Sequence, residues 1–244
     1  LCYWAEKQDS ARVIGDAASA FLQEVGVAQI SEHARPTFSE DGQKLYFGIA
    51  PPPALPDTSL LPEEIVNVEV WAWNNNRLYT EEEKRLEADK KRSYPVVYHL
   101  RQKKFVTLGS PELPEWRLQE QRDAGTALAF TEEPYAQYQQ WEGAAHKDLY
   151  AVNIESGEKR QIVKDLRCKP RLSPDAGYIL WWNEPDSAWY AWNAQKNTTA
   201  RLTDNRAARF FDEKSDTPDF PDEYGVAGWL KDDEALFVYD RFDL

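Results

Sequence analysis

Two adjacent carboxylates, Glu132 and Glu133, stand in the stretch TEEPYAQYQQWEG beside Tyr135, Tyr138 and Trp141. Acidic side chains among aromatic rings suit an ammonium group, because carboxylates take its charge and hydrogen bonds while ring faces attract the cation through their quadrupoles. The amino end of a peptide is a ligand of that kind. The same residues equally suit an exposed loop whose rings pack on the structure below, and type and spacing alone leave both readings open. Other reactive groups are sparse. His33, His99 and His146 stand apart, whereas a zinc site gathers three or four ligands, so neither a metal nor a cofactor is expected. Cys2 and Cys168 are too distant in sequence for a CxxC motif. A nucleophile elbow, G-x-S-x-G, needs two glycines around a serine to make its strained turn, and the eleven glycines contain no such pair. The expectation is a chain without catalytic residues of its own.

Whatever positions the candidate loop is a folded body. Of 244 residues 42% are hydrophobic and 13% aromatic, enough to bury a core. A net charge of -13 repels phosphate backbones and anionic lipid, which argues against nucleic-acid and membrane-surface partners. No run of about 18 apolar residues suggests a membrane span. Methionine is absent throughout, so the sequence reads as a fragment from which a signal peptide could be missing.

One phrase recurs. FSEDGQKLYF (38–47) returns as LSPDAGYILW (172–181), as WLKDDEALFV (229–238) and, degraded, in EWRLQEQRDAGTALAF (115–130). Aligned on the openers Phe38, Trp116, Leu172 and Trp229, the copies lie 78, 56 and 57 residues apart. The first interval is longer because it holds a proline-rich insertion (51–62) and a charged one (80–92). Each copy reads as strand, acidic turn, strand. A second hairpin follows in VVYHLRQKKFVTL, LYAVNIESGEKRQI and WYAWNAQKNTTARL. Two hairpins make a four-stranded antiparallel sheet, and small sheets repeated at this period bury their faces by stacking radially as β-propeller blades. The fold class is therefore all-β, a partial β-propeller of four-stranded antiparallel blades with one helical excursion at about 80–93. The units are a partial blade 1–35, blades 36–109, 114–166 and 169–204, and a partial blade 218–244. Opening and stopping inside units, the chain is expected to expose apolar edges near Tyr3 and Phe237.

Trp71, Trp73, Trp181, Trp182, Trp189 and Trp192 fall on expected strands, as wedge-filling residues between blades. In TEEEKRLEADKKR (80–92), Thr80 with Glu83 forms a capping-box pattern and Glu87 precedes Lys91 by four, which predicts a helix with almost no core face, either a solvated excursion or a docking element.

SEHARPTFSEDGQKLYFGIAPPP, VEVWAWNNNRLY, TEEPYAQYQQWEG, DLYAVNIESGEKRQI and YGVAGWLKDDEALFVYDRFDL together resemble the N-terminal β-propeller of secreted serine peptidases of the prolyl oligopeptidase family, of the kind common in Bacteroidetes. The resemblance implies a periplasmic or secreted protein and, as partners, a C-terminal α/β-hydrolase domain carrying a Ser-Asp-His triad and a peptide substrate. In dipeptidyl peptidases of the family a Glu-Glu pair of the propeller holds the substrate's amino end, which would give that role to Glu132 and Glu133, with Tyr135, Tyr138 and Trp141 around them. Their flanking residues do not match that motif clearly. The alternative is a propeller that only binds, as a periplasmic scaffold or sensor.

Overall fold

Each copy of the repeated phrase folds as an antiparallel hairpin. The computed structural model describes residues 1–4, 9–15, 21, 29–53, 59, 61–64, 66, 68–69, 71–206 and 208–242. Among these, β1 (Cys2–Tyr3) pairs with β2 (Arg12–Val13). The next sheet joins β3 (Gln29–Ile30), β4 (Thr37–Phe38), β5 (Lys44–Ala50), β6 (Tyr94–His99) and β7 (Lys104–Thr107), with β3 and β4 both on one edge of β5. Two four-stranded meanders follow: β8 (Glu115–Arg117), β9 (Thr126–Thr131), β10 (Lys147–Asn153) and β11 (Lys159–Leu166); then β12 (Arg171–Leu172), β13 (Tyr178–Asn183), β14 (Ala188–Asn193) and β15 (Thr198–Arg201). β16 (Val226–Trp229) and β17 (Leu236–Val238) form a final hairpin. Every adjacent pair is antiparallel and sequential along the two meanders, so the fold is all-β and built of propeller blades. The four openers, Phe38, Trp116, Leu172 and Trp229, all lie on the first strand of their hairpins.

Side-chain alternation sends the two faces of a central strand to different neighbours. On β9, Ala127 and Ala129 pack with Tyr46, Val97 and Val106 of the preceding sheet, while Leu128 and Phe130 pack with Ile179 and Trp181 of the following one. On β13 the alternate pair, Leu180 and Trp182, meets Val226, Trp229 and Leu236. Strands buried on both sides need apolar residues at every position, which is why TALAFT and YILWWN run apolar rather than alternating with polar residues.

The acidic turns tie sheets together. Ser39 and Ser173 hold equivalent places, each hydroxyl accepting from the backbone N–H five residues on, Lys44 and Tyr178, both at 2.9 Å. The following sheet then grips each turn. Asp123 accepts from the Asp41 N–H at 3.1 Å, and the Lys44 ammonium donates to the Asp123 carbonyl at 2.8 Å. Buried Asp233 accepts from Ser173 Oγ at 2.5 Å, the Gly177 N–H at 3.0 Å and the Asp175 N–H at 3.2 Å. A Cβ on Gly177 would sit 3.0 Å from an Asp233 carboxylate oxygen, so glycine keeps this approach open.

Two sequence expectations are corrected. Trp71 and Trp73 are on no strand, and they are 64% and 93% exposed; both edges of β5, the strand that precedes the insertion, are taken by β3, β4 and β6. The other four tryptophans named above are buried on β13 and β14. The helix α1 spans Tyr79–Lys90, starting one residue before the expected cap, so Thr80 lies inside it and Leu78 at the cap makes no side-chain hydrogen bond. Its ion pairs are Arg85 with Glu81, Lys90 with Glu87 and Arg92 with Asp89, not Glu87 with Lys91, and it buries no residue. At the terminal hairpins, Phe237 is exposed, whereas Tyr3 packs its ring near Phe38 at 6.2 Å. No helix among the described residues is long and apolar enough to cross a membrane.

Candidate functional site

The TEEPYAQYQQWEG segment leaves the end of β9 and returns at β10, making a 3-10 turn at Glu133–Tyr135 and a short helix, α2 (Gln139–Glu142). Pro134 sits in the first turn, where its missing N–H costs nothing. Gly143 closes α2 in the left-handed region at φ 67°, with its N–H on the Gln139 carbonyl.

Both carboxylates already have cations. Glu133 takes a bidentate pair from Arg77 of the preceding sheet's insertion, with Nη1 and Nη2 each 2.8 Å from a carboxylate oxygen. Glu81 at the start of α1 lies 3.6 Å from Arg77 Nε. The Arg77 hydrogen bonds hold the Glu133 carboxyl below its ordinary value, and the same bonds raise the guanidinium's. Glu132 is 3.0 Å from the ammonium of Lys147, which is itself buried on β10 and lies over the Phe130 ring. A peptide ammonium approaching either carboxylate meets a charge that is already balanced.

The three aromatic residues divide. Tyr135 turns inward: its hydroxyl donates to Asp148 at 2.7 Å, and its ring packs against His146. Burial first, and then that bond, push its pKa up. Tyr138 and Trp141 turn outward, at 55% and 82% exposure. The segment thus splits into an inner half tied to Arg77 of the insertion and to Lys147 and Asp148 of β10, and an outer half that faces solvent.

Trp141, Gln137 and Gln140 form one wall of a cleft of about 410 Å³; the opposite wall is the insertion, with Trp71, Trp73, Asn75 and Tyr79. The Arg77–Glu133 pair holds the walls together from below. Trp71 stacks obliquely on Tyr79 at 5.3 Å, and its indole N–H donates to Glu69 at 3.2 Å. Among the described residues the lining holds no serine, cysteine, histidine or carboxylate. Sequence reading missed the insertion half of this cleft, because the alternation through VWAW resembles a strand. The signal against a strand is Asn74, Asn75 and Asn76, three turn-forming residues directly after Trp73.

Elsewhere, burial pushes the Cys168 thiol up to about 12, against the Trp182 N–H bond that lowers it, which leaves it a poor nucleophile. Among the described residues no group of three or more His, Cys, Asp or Glu is placed to hold a metal ion.

Compared with protein-family models and with curated proteins, the sequence has no match. Solved structures do match in shape. The structure of TolB from Acinetobacter baumannii superposes at a TM-score of 0.32 with 10% identity over 72% of this chain and 33% of that one. The tricorn protease superposes at 0.28 with 8% identity over 80% of this chain and 23% of that one. The chain spans about a third and a quarter of the lengths of these two.

Proposed function

We propose that the chain is the non-catalytic propeller portion of a serine peptidase of the prolyl oligopeptidase type, admitting and positioning peptide substrate for a C-terminal α/β-hydrolase domain. The observation that carries this reading is that the acidic turns at Asp123 and Asp233 join one sheet to the next, Glu133 is tied to the preceding sheet's insertion and Glu132 to Lys147 of its own sheet: the residues that look chemical in the sequence are architectural, as in a domain that shapes access and leaves bond cleavage to a neighbour. On this reading Tyr138 and Trp141, not the two carboxylates, are the members of the segment that face a ligand. Secretion or a periplasmic location follows from the same family resemblance.

A binding-only propeller is favoured by one observation, a cleft whose described lining is mostly aromatic and amide side chains with one ion-paired arginine. The two readings separate on the sequence downstream of residue 244 and on activity. A G-x-S-x-G elbow followed by Asp and His, with turnover of proline-containing chromogenic dipeptides by the longer protein and none by the 244-residue chain, supports the peptidase reading. A different downstream domain, or turnover by the purified chain alone, sinks it.

A further inference from the structure

We infer that the cleft between the insertion and α2 is a binding site for a neutral saccharide, a function that holds under either reading above. The argument begins with exposure. This chain buries four tryptophans on β13 and β14, yet holds Trp71, Trp73 and Trp141 at 64, 93 and 82% exposure around a single hollow. Leaving three indoles in water forgoes the stabilisation their burial would bring, and clustered exposed apolar surface of this kind marks a binding face. The hollow's 410 Å³ falls in the range of about 300–1,000 Å³ usual for small-molecule sites.

Charge then selects the ligand class. Arg77, the one charged residue among the described lining, is neutralised by the bidentate Glu133 pair and by Glu81. An anion would have to compete with Glu133 and approach a chain of net charge -13. A cation finds no carboxylate among the described lining residues to hold it. The cleft suits an uncharged ligand.

Hydrogen bonding narrows it again. Asn75, Gln137 and Gln140 each present a carbonyl acceptor and an NH₂ donor, and none of these side chains bonds to a described neighbour. A planar amide beside an aromatic face complements a sugar ring: hydroxyls both donate and accept, as the amides do, while the ring's C–H face lies on an indole. A polyproline segment also packs on aromatic ridges, but it has carbonyl acceptors and no N–H donors, so the amide oxygens would lose their water without replacement. A saccharide satisfies both halves of each amide.

The test is calorimetric titration of the 244-residue chain with cellotriose, maltotriose, triacetylchitotriose and decaproline. One or more of the trisaccharides is expected to bind one to one, and Trp141→Ala, whose side chain supports no core, is expected to weaken that binding about tenfold or more with the fold unchanged by circular dichroism. Gln140→Ala should weaken it as well, a change that loss of a purely greasy contact would not produce. No saccharide binding up to about 10 mM, well above ordinary weak affinities, overturns the inference. So does binding indifferent to Trp141→Ala, or binding of decaproline alone.

Discussion

At the residue scale, the acidic residues of the repeat are joints. Asp233 shows this most clearly, because it is buried and accepts three hydrogen bonds from the turn of the preceding sheet. Replacing it with alanine leaves the Gly177 and Asp175 N–H groups and the Ser173 hydroxyl without their acceptor. Stranding buried donors costs about 1–3 kcal/mol each, partly recovered where water enters, so Asp233→Ala is expected to lower stability by about 2–4 kcal/mol. Asp233→Asn should recover part of the loss by keeping one acceptor. A denaturant midpoint unchanged by Asp233→Ala would show that the joint is incidental. Glu132 and Glu133 teach the same lesson. An adjacent acidic pair among aromatics is equally a ligand site and a pair of struts, and what decides is the location of Arg77 and Lys147, one of them 56 residues away in sequence from its partner Glu133.

At the element scale, α1 contrasts with every buried strand. It has no buried residue, and its i,i+3 and i,i+4 ion pairs contribute roughly 0.2–0.5 kcal/mol apiece while salt is low. Leu86, 48% exposed, is therefore expected to tolerate Leu86→Ser with a stability change under about 0.5 kcal/mol, whereas Trp182→Ala, which empties a site between two sheets, should cost about 3–5 kcal/mol. Thermal melts of the two variants check this, and a large loss from Leu86→Ser would mean that α1 packs against something essential. The hairpins were legible from sequence because their information is local: turn residues between apolar runs, repeated at a near-constant interval, place β4–β5, β12–β13 and β16–β17. The cap of α1 and the fate of Trp71 and Trp73 were not. Thr80 loses the cap role because the helix begins a residue earlier, and Trp71 and Trp73 find no place beside β5, whose edges are taken by β3, β4 and β6. The insertion half of the cleft was illegible too: residues 71–79 meet 137–141 across the Arg77–Glu133 pair, whose two members lie 56 residues apart in sequence, a contact that no local pattern encodes.

At the scale of the whole molecule, stability should grade from the middle sheets outward. β9, β10, β13 and β14 have hydrogen-bonded neighbours on both sides, and their side chains pack into sheets before and after them. β1 with β2, and β16 with β17, are isolated two-stranded pairs. Opening a central strand breaks two ladders and two packed faces together, so its amides exchange only through openings close to global unfolding. A short pair opens by breaking one ladder, and α1 by losing exposed helical bonds alone. In hydrogen–deuterium exchange, peptides holding Leu128, Leu149, Ile179, Leu180 and Trp189 are accordingly expected to be the last to exchange, with Tyr79–Lys90 and the β1–β2 pair among the first. Saturating the cleft with the trisaccharide that binds should slow exchange around residues 71–79 and 137–141 and leave β13 and β14 unchanged, because the ligand bridges two excursions and touches no central strand. Exchange as slow in α1 as in β13 would overturn the grading.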